Sequence, residues 1–298
     1  MFQRIFIAID FSPSADEALR QAAHRAVSTG AKLTVCHILP NELRSNVLFP
    51  QISRIEALRI PLELDAIAAE AGDRVTRLTG LTANDFNLIV DEGTPYSTIL
   101  AHAEEELADL IVVGSHGETG LSSGLLGSVT NRIIRYAHCP VLIVRAGDFS
   151  GGVVVGVDFS DPAMPAVRAA AAEADRTQTD LVLTHCLDLT WSITSYPAMA
   201  FGGAPSKVSP ADVGRLESAA SEKLNHILEH LGLKGRAEVA QGSAGKGLID
   251  TATRLKARLL VVGTLGRTGL RRAVLGSVAE TVAQGAPCSV LIVRQHHA

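Results

Sequence analysis

A motif of glycines and a serine occurs twice in the chain with the same spacing, G-x2-G-x9-G-S. Its members are Gly114, Gly117, Gly127 and Ser128 in the first copy and Gly263, Gly266, Gly276 and Ser277 in the second. An apolar run precedes each copy and an amphipathic pattern follows the serine, so the motif joins a strand to a helix. A helix start offers unpaired backbone N–H groups to an anion, and glycine permits positive φ and close approach of a phosphate. The motif predicts a phosphate site, although a turn of this kind can also be purely structural.

An aspartate follows the first apolar strand of each copy, Asp10 in "AIDFS" and Asp158 in "GVDFS". A carboxylate at this point can accept hydrogen bonds from ribose hydroxyls or from an adenine amine, and it can also cap the next helix. The chain contains no Walker A sequence and no G-x-G-x-x-G motif after the first strand. The two common nucleotide-binding loops are therefore excluded.

The whole chain of 298 residues repeats itself with an offset of 148 or 149 residues. "CPVLIVR" near the end of the first half returns as "CSVLIVR" near the end of the second, and the stretch "RAGDFSGG" lies between the halves. The repeat predicts two domains, residues 1–147 and 151–298.

Short apolar runs alternate with amphipathic segments in each half, and in the first half they predict strands at 5–9, 33–38, 86–90, 110–113 and 141–144. In the segment after residue 93, Thr94 and Pro95 predict a helix start, with Ile99, Leu100, Ala103 and Leu107 on one apolar face. Each half is therefore predicted to be an α/β domain with a doubly wound, five-stranded parallel sheet of Rossmann-like type. Ligands of such sheets bind at the carboxyl ends of the strands, near the point where the strand order reverses.

With these motifs in order, both halves resemble universal stress proteins of the ATP-binding type, over essentially the whole chain. The resemblance implies a fold like that of adenine nucleotide alpha hydrolases, with ATP held at the carboxyl ends of the strands. The implied contacts in the first half are Ala8, Asp10 and Ile38 for base and ribose, Val113, Gly114, Ser115 and Gly117 for ribose and phosphates, and Gly127, Ser128, Val129 and Thr130 for the phosphate tail. Those in the second half are Gly156, Asp158, Cys186, Val262, Gly263, Thr264, Gly266, Gly276, Ser277 and Val278.

The two copies of the loop differ in charge. The second copy has Arg267, Arg271 and Arg272 where the first has Glu118, Ser122 and Ser123, and Ala279 where the first has Thr130. Each exposed charged contact contributes about 0.3–1 kcal/mol. We therefore expect the second half to bind ATP at least as tightly as the first.

The function predicted from these residues is that of an ATP-binding stress-response regulator, with slow hydrolysis at most and no catalytic residue. Magnesium or manganese is expected only as a companion of the phosphates. Two alternatives stay open. One is an adenylyl-transfer or ATP-hydrolysing enzyme on the same fold, although "DFSPS" and "DFSDP" match neither of the loops such enzymes use. The other is a protein for an apolar ligand that is not a nucleotide, bound near Trp191.

The segments 42–67 and 188–210 are where the halves differ most. Both follow the second strand of their half, beside the predicted site. The second segment contains Trp191, Tyr196, Met199 and Phe201 in a stretch rich in glycine and proline. Such a segment fits a lid, a partner surface or a second ligand site, or it covers the edge of the domain.

His37 and His185 occupy matching positions after the second strands, and no spacing typical of a metal site accompanies them. We expect both to be structural. His116 aligns with Leu265, which argues against catalysis at that position. The four cysteines lie in or beside apolar strands without a C-x-x-C pair, which predicts buried, reduced thiols.

The composition, 47% hydrophobic and 19% charged with a net charge of −4, is that of a chain with a core and gives no basic face for nucleic acid. No apolar run reaches the roughly 18–20 residues that span a bilayer. We expect a cytoplasmic protein whose ligand is adenine nucleotide, with no nucleic acid or membrane partner. The last strands of the halves, "PVLIVR" and "SVLIVR", are expected to pair the halves as a pseudo-dimer, and a homodimer is a further option.

Overall fold

The structure, a computed structural model, describes residues 2–40, 52–117, 126–147, 149–188, 209–264 and 275–294, with side chains of the second helix described from residue 64 onward. The chain divides into two compact units, Met1–Ala146 and Gly147–Ala298.

The first unit alternates strands with helices, as its apolar pattern predicts. The elements are β1 (Arg4–Ile9), α1 (Pro13–Thr29), β2 (Lys32–Pro40), α2 (Ile52–Thr79), β3 (Asn87–Gly93), α3 (Pro95–Glu105), β4 (Leu110–Gly114), α4 (Ser128–Tyr136) and β5 (Val141–Val144). All five predicted strands are present, with bounds that differ by no more than a few residues.

The strand order in the first unit is β3-β2-β1-β4-β5, and neighbouring strands are parallel. The chain runs outward from β1 through β2 to β3 and then returns to the other side of β1, so the order reverses between β1 and β4. The register places Ile7 opposite Val112. The carboxyl ends of β1 and β4 therefore meet at one crevice, which is where parallel sheets bind ligands.

The second unit repeats this arrangement. Its elements are β6 (Val153–Gly156), a 3₁₀ turn (Asp161–Ala163), α5 (Met164–Thr177), β7 (Leu181–Leu187), α6 (Pro210–His230), β8 (Arg236–Gln241), α7 (Ala244–Arg254), β9 (Leu259–Gly263), α8 (Ser277–Gly285) and β10 (Ser289–Val293). The parallel order β8-β7-β6-β9-β10 reverses between β6 and β9, with Val155 opposite Val261. The predicted fold class is confirmed in both halves.

The central strands are buried on both faces, because helices cover the two sides of each sheet. Phe6, Ile7 and Ile111 have no accessible surface in the first unit, and Leu183 and Leu260 have none in the second. Burial on both sides explains why these strands have continuous apolar sequences instead of an alternating pattern.

The helix after residue 93 begins as predicted and ends sooner than predicted. Thr94 is the N-cap residue, Pro95 is the first helical residue, and Ile99 and Ala103 are buried. Leu107 was expected on the same face, but α3 ends at Glu105 and Leu107 is 65% exposed with a φ of 53°. The prediction for Leu107 was wrong because the helical period was continued beyond the end of the helix.

The four cysteines, all within the described residues, are thiols and not disulfides. Cys36, Cys139 and Cys288 are buried, as expected, while Cys186 is only half-buried. Among the helices that the structure describes, none combines the length and the apolar character needed to cross a bilayer.

Candidate functional site

The crevice between β1 and β4 brings Asp10 and the glycine loop together. A Cβ placed on Gly117 would lie 2.7 Å from Oδ2 of Asp10, so the carboxylate borders the loop directly. Gly114 at the end of β4 is required for packing, since a Cβ there would lie 2.9 Å from the carbonyl carbon of Ser14 in α1. The backbone of α1 thus leaves no room for a larger side chain at Gly114, while a side chain at Gly117 would displace the carboxylate of Asp10.

Asp10 does not cap the helix that follows it. Ser12 is the N-cap residue of α1, and its hydroxyl accepts from the N–H of Ala15 at 3.2 Å. Oδ1 of Asp10 instead accepts from the N–H of Ser12 at 3.1 Å, in a turn of the Asx type. Asp158 forms the same bond with the N–H of Ser160 at 3.0 Å. Each aspartate is therefore oriented by its own turn, and the capping interpretation of Asp10 is excluded.

The loop after β4 is fastened to α1 by the hydroxyl of Ser14. This hydroxyl donates to the carbonyl oxygen of His116 at 2.9 Å and accepts from the N–H of the same residue at 3.2 Å. Oγ of Ser115, a buried residue, lies 2.9 Å from Nδ1 of His116. The backbone at His116 is consequently held in place independently of any ligand.

The start of α4 has the geometry of an anion site. Gly127 is the N-cap residue, with φ −57° and ψ 147°, and the first bond of the helix runs from the N–H of Asn131 to its carbonyl oxygen at 2.8 Å. The N–H groups of Ser128, Val129 and Thr130 therefore have no acceptor within the helix. A Cβ on Gly127 would have no neighbour closer than 3.6 Å. Neither φ nor packing requires glycine here, so the positive φ that glycine permits is not used at Gly127.

The start of α8 repeats this geometry. Gly276 is the N-cap residue, with φ −63° and ψ 150°, and the N–H of Glu280 donates to its carbonyl oxygen at 2.9 Å. Ser277, Val278 and Ala279 thus contribute the N–H groups without a helical acceptor. A Cβ on Gly276 would lie 2.9 Å from the carbonyl oxygen of Thr264. Packing therefore requires glycine at this position, unlike at Gly127.

Thr130 is buried, and its hydroxyl donates to the carbonyl oxygen of Gly114 at 2.8 Å. The hydroxyl proton is used inside the protein and is not directed to a phosphate. A hydroxyl contact between Thr130 and phosphate would require this bond to break. The backbone N–H of Thr130 is the group that the structure leaves available for an anion.

Three further predicted contacts of the first half lie at the same edge of the sheet. Ala8 is half-buried in β1, Ile38 is buried in β2 just beyond the pair formed by Ile9 and His37, and Val113 is buried near the end of β4. These positions border the carboxyl ends of the three central strands. The structure therefore brings the predicted base, ribose and phosphate contacts to one edge.

The second half encloses a cavity of about 280 Å³ at the corresponding edge. Its size is close to the lower end of the roughly 300–1,000 Å³ that is usual for small-molecule sites. Nine of the ten predicted contacts line it, namely Gly156, Asp158, Cys186, Val262, Gly263, Thr264, Gly276, Ser277 and Val278. The tenth, Gly266, lies outside the described residues.

Cys186 is a neutral thiol within this cavity. Burial and the nearby carboxylate of Glu238 raise the pKa of the thiol to about 11. Its Sγ donates to the carbonyl oxygen of Ala244 at 3.6 Å. The residue is a small, weakly polar part of the wall and not a nucleophile at neutral pH.

The sequence interpretation missed the phenylalanines that follow the two aspartates. Phe11 and Phe159 have φ values of 63° and 62°, a left-handed conformation that is costly for an aromatic residue. Arg74 lies 5.4 Å from the ring centre of Phe11, and Lys223 lies at the same distance from that of Phe159. The repeated "DFS" was the available signal, because a phenylalanine retained in a turn in both halves is unusual.

Arg74 also holds the turn by hydrogen bonds. Its guanidinium donates to both carboxylate oxygens of Asp16, at 2.7 and 2.8 Å, and to the carbonyl oxygen of Phe11 at 2.8 Å. The hydrogen bond to Asp16 raises the pKa of Arg74 above its usual value. The turn that carries Asp10 is thus anchored to α2.

His37 and His185 each direct Nδ1 at a backbone carbonyl, that of Ile9 at 2.9 Å and that of Val157 at 2.7 Å. A carbonyl oxygen only accepts, so Nδ1 carries the proton in both rings. These bonds fit the expected structural role. Among the described residues, no group of three histidine, cysteine or carboxylate side chains could hold a metal ion.

Several residues that distinguish the two halves in sequence lie outside the described residues. They are Arg267, Arg271, Arg272, Glu118, Ser122 and Ser123, together with Leu265 and the aromatic and methionine residues of 188–210, Trp191, Tyr196, Met199 and Phe201. Of the segment 42–67, the structure describes the helical backbone from Ile52 onward.

A family model for the universal stress protein family matches the chain twice, over residues 1–145 and 152–294. The chain belongs to the universal stress protein family. Universal stress protein Rv2623 of Mycobacterium tuberculosis is 28% identical over 301 residues, covering 98% of this chain and 96% of that protein. Universal stress protein YxiE of Bacillus subtilis is 34% identical over 159 residues, covering 49% of this chain and all of YxiE.

Solved universal stress proteins share the fold over both halves. The crystal structure of a universal stress protein from Archaeoglobus fulgidus covers 98% of this chain and 98% of its own, with a TM-score of 0.68 and 17% identity. At this identity the likeness concerns the fold. The resemblance read from the sequence is confirmed, and the chain is a tandem member of the family.

Proposed function

We propose that each half of this universal stress protein binds adenine nucleotide, with ATP as the expected ligand, and that occupancy controls a regulatory function in the stress response. The observation that carries the proposal is the start of α4. Gly127 has an ordinary φ, and a Cβ there would meet its neighbours only at the ordinary contact distance of 3.6 Å or more, so its lack of a side chain serves neither the backbone nor the packing. What the missing side chain leaves open is the approach to three N–H groups without helical acceptors.

The different chemistry of the two ends of the site supports a nucleotide over a simple anion. Asp10 lies against the loop at Gly117, and the N–H groups of α4 follow in the same loop. A carboxylate is suited to ribose hydroxyls and repels a free phosphate, while a helix start attracts phosphate. A ligand that carries both a sugar and phosphate satisfies the two ends at once.

Slow hydrolysis at most is the expected chemistry. The described parts of the first loop, residues 114–117 and 126–130, contain no lysine or arginine to stabilise a phosphoryl group in transfer. A magnesium or manganese ion would be held through the phosphates. Three further proposals concern assembly: the two halves pair with each other, the chain forms a homodimer, and it binds a regulatory protein. The molar mass in solution tests the homodimer, and copurification tests the protein partner.

Mass spectrometry of small molecules released from the purified protein, followed by calorimetric titration with ATP and with inorganic phosphate, tests the proposal. We expect adenine nucleotide to be released, and Gly127→Val to weaken ATP binding in the first half. Gly72→Ala is the matched control, because Gly72 lies in α2 and a Cβ there would meet only Leu88 at 3.9 Å. Release of a lipid or another metabolite, with no ATP binding, would contradict the proposal.

A further inference from the structure

Thr184 of β7 is a buried residue whose hydroxyl has no hydrogen-bond partner among the residues that the structure describes. Only 1% of the residue is exposed. Other buried threonines are satisfied: Oγ1 of Thr34 donates to Glu106 at 3.3 Å, and that of Thr130 donates to Gly114 at 2.8 Å. A buried hydroxyl without a partner costs free energy in the unliganded protein, and native proteins rarely keep one without a reason.

Thr184 lines the cavity of the second half. Two residues further along β7, on the same face of the strand, lies Cys186, which also lines the cavity. The strand partner of Thr184 in β6 is Gly156, which has no side chain, and Leu248 packs against that glycine. Its strand partner in β8 is Glu238, whose carboxylate forms ion pairs with two arginine side chains. The wall on the β6 side is therefore apolar, and among the described residues no group forms a hydrogen bond with the hydroxyl.

The first half has no equivalent hydroxyl. Cys36 occupies the corresponding place on β2, opposite Ala8 in the register. Its side chain is fully buried, and burial raises the pKa of the thiol to about 12, so it is neutral and a weak hydrogen-bond donor. The two halves thus share the glycine loop and the aspartate but differ in the polarity of the wall deep in the crevice.

We propose that the Thr184 hydroxyl determines the specificity of the second half by hydrogen-bonding to the polar edge of a nucleotide base in the cavity. The proposal rests on the proposed nucleotide function and assigns it a contact that distinguishes the halves. A hydroxyl offers one donor and two lone pairs, so it can pair with a ring nitrogen or with an exocyclic amine of a purine. Rotation about χ1 redirects the hydroxyl without movement of the backbone.

The contact has a signature that a purely structural threonine would lack. Thr184→Val keeps the shape of the side chain and removes only the hydroxyl. Because the hydroxyl has no partner among the described residues, the unliganded variant should melt at the same or a higher temperature than the wild type. The same variant should weaken ATP binding by about 3- to 10-fold, the effect of losing one neutral hydrogen bond. Binding of inorganic triphosphate, which has no base, should stay unchanged.

The experiment is a calorimetric titration of the full chain carrying Gly127→Val, so that the second half dominates the signal. Thr184→Val is compared with Thr184→Ser, which retains the hydroxyl and should retain ATP affinity. Cys36→Val is the matched change in the first half and should leave ATP binding to the second half unaltered. Equal losses for ATP and inorganic triphosphate, or an unchanged ATP affinity, would overturn the assignment of Thr184 alone. Absence of ATP binding before Thr184 is altered would overturn the proposed function and this assignment together.

Discussion

The ring of Phe11 stacks on the imidazole of His37, with the ring centres 4.5 Å apart and the planes inclined by 26°. The second half repeats the pair as Phe159 and His185, with the ring centres 4.3 Å apart. In both pairs the phenylalanine follows the aspartate of the candidate site and has a left-handed backbone. The stack holds a strained turn, and the turn orients the carboxylate.

Removal of Arg74 should loosen this turn in the first half. Arg74→Ala loses the two bonds to Asp16 and the bond to the carbonyl of Phe11, all between groups that are largely shielded from water. We expect the free energy of unfolding, measured in urea, to fall by about 1–3 kcal/mol. Arg74→Lys should recover part of the loss, because an ammonium keeps the charge without the two-pronged geometry.

Arg20→Ala is the control for this change. Arg20 forms an exposed pair with Glu17 at 3.4 Å on the same unit, and its removal should cost less than about 0.5 kcal/mol. Equal effects of the two substitutions would show that Arg74 does not anchor the turn.

The N-cap glycines should respond differently to the same substitution. Gly127→Ala places a Cβ at ordinary contact distance, 3.6 Å from its nearest neighbours, and should leave the melting temperature nearly unchanged, while it narrows the approach to the N–H groups and weakens nucleotide binding. Gly276→Ala brings a Cβ to 2.9 Å from the carbonyl of Thr264 and should lower both stability and affinity. Thermal unfolding beside calorimetric titration separates the two effects. A stable Gly127→Ala protein with undiminished affinity for ATP would count against the anion site.

The sequence predicted the strands well because their burial on both faces leaves a strong signal. Val141–Val144, for example, is an unbroken apolar run, and the structure has a strand with those bounds. The end of α3 was missed because Leu107 continues the helical period although the chain has already turned. Periodicity reports which face is apolar but not where backbone hydrogen bonding stops.

The sequence predicted those parts of the candidate site that belong to motifs. It did not predict the contacts between elements that are far apart in the chain. Asp10 was identified from its place after the first strand, and Gly117 from the spacing of the glycine motif. The role of Arg74 was not, because it lies 58 positions after its partner Asp16 and no local pattern joins the two. Thr184 gave no signal either, since a threonine in an apolar strand is ordinary until its hydroxyl is found without a partner.

Cys186 offers a chemical probe of the second cavity. It is half-buried and lines the cavity, whereas the other three cysteines are buried, so a maleimide should modify Cys186 first. With a pKa of about 11, the reaction should be slow at pH 7 and should accelerate about tenfold for each unit of pH below that value. ATP should slow it, and Cys186→Ser should abolish the first phase. Modification that ignores ATP would place the nucleotide elsewhere.

Asp91 should contribute to stability in a defined range of pH. Burial raises the pKa of its carboxyl. Hydrogen bonds from His102 at 2.9 Å and from the N–H of Glu92 at 2.7 Å lower the pKa by more than burial raises it, so the pKa of Asp91 is below its usual value. The contribution is therefore present above the pKa of the unfolded chain, about 3.9, and is lost as the pH falls through the lower folded value. Asp91→Asn should destabilise the protein at pH 6 and make less difference near pH 3. The exposed Asp65→Asn is the control, and parallel pH profiles for wild type and Asp91→Asn would contradict the expectation.

We expect opposing charges to decide the relative ATP affinity of the two halves. The second loop carries three arginines that the first lacks, while the first turn of α8 contains Glu280 where α4 has Asn131. An exposed charge near phosphate or a helix start is worth about 0.3–1 kcal/mol in either case, so three cations should outweigh one anion. We expect Gly266→Ala to cost at least as much ATP affinity as Gly117→Ala, although a Cβ at Gly117 also meets the carboxylate of Asp10 at 2.7 Å. Titration of each variant at two salt concentrations measures the difference, and the advantage of the second half should shrink at high salt because exposed charges are screened. A larger loss from Gly117→Ala at low salt would show that orientation by Asp10 matters more than the charge of the loop.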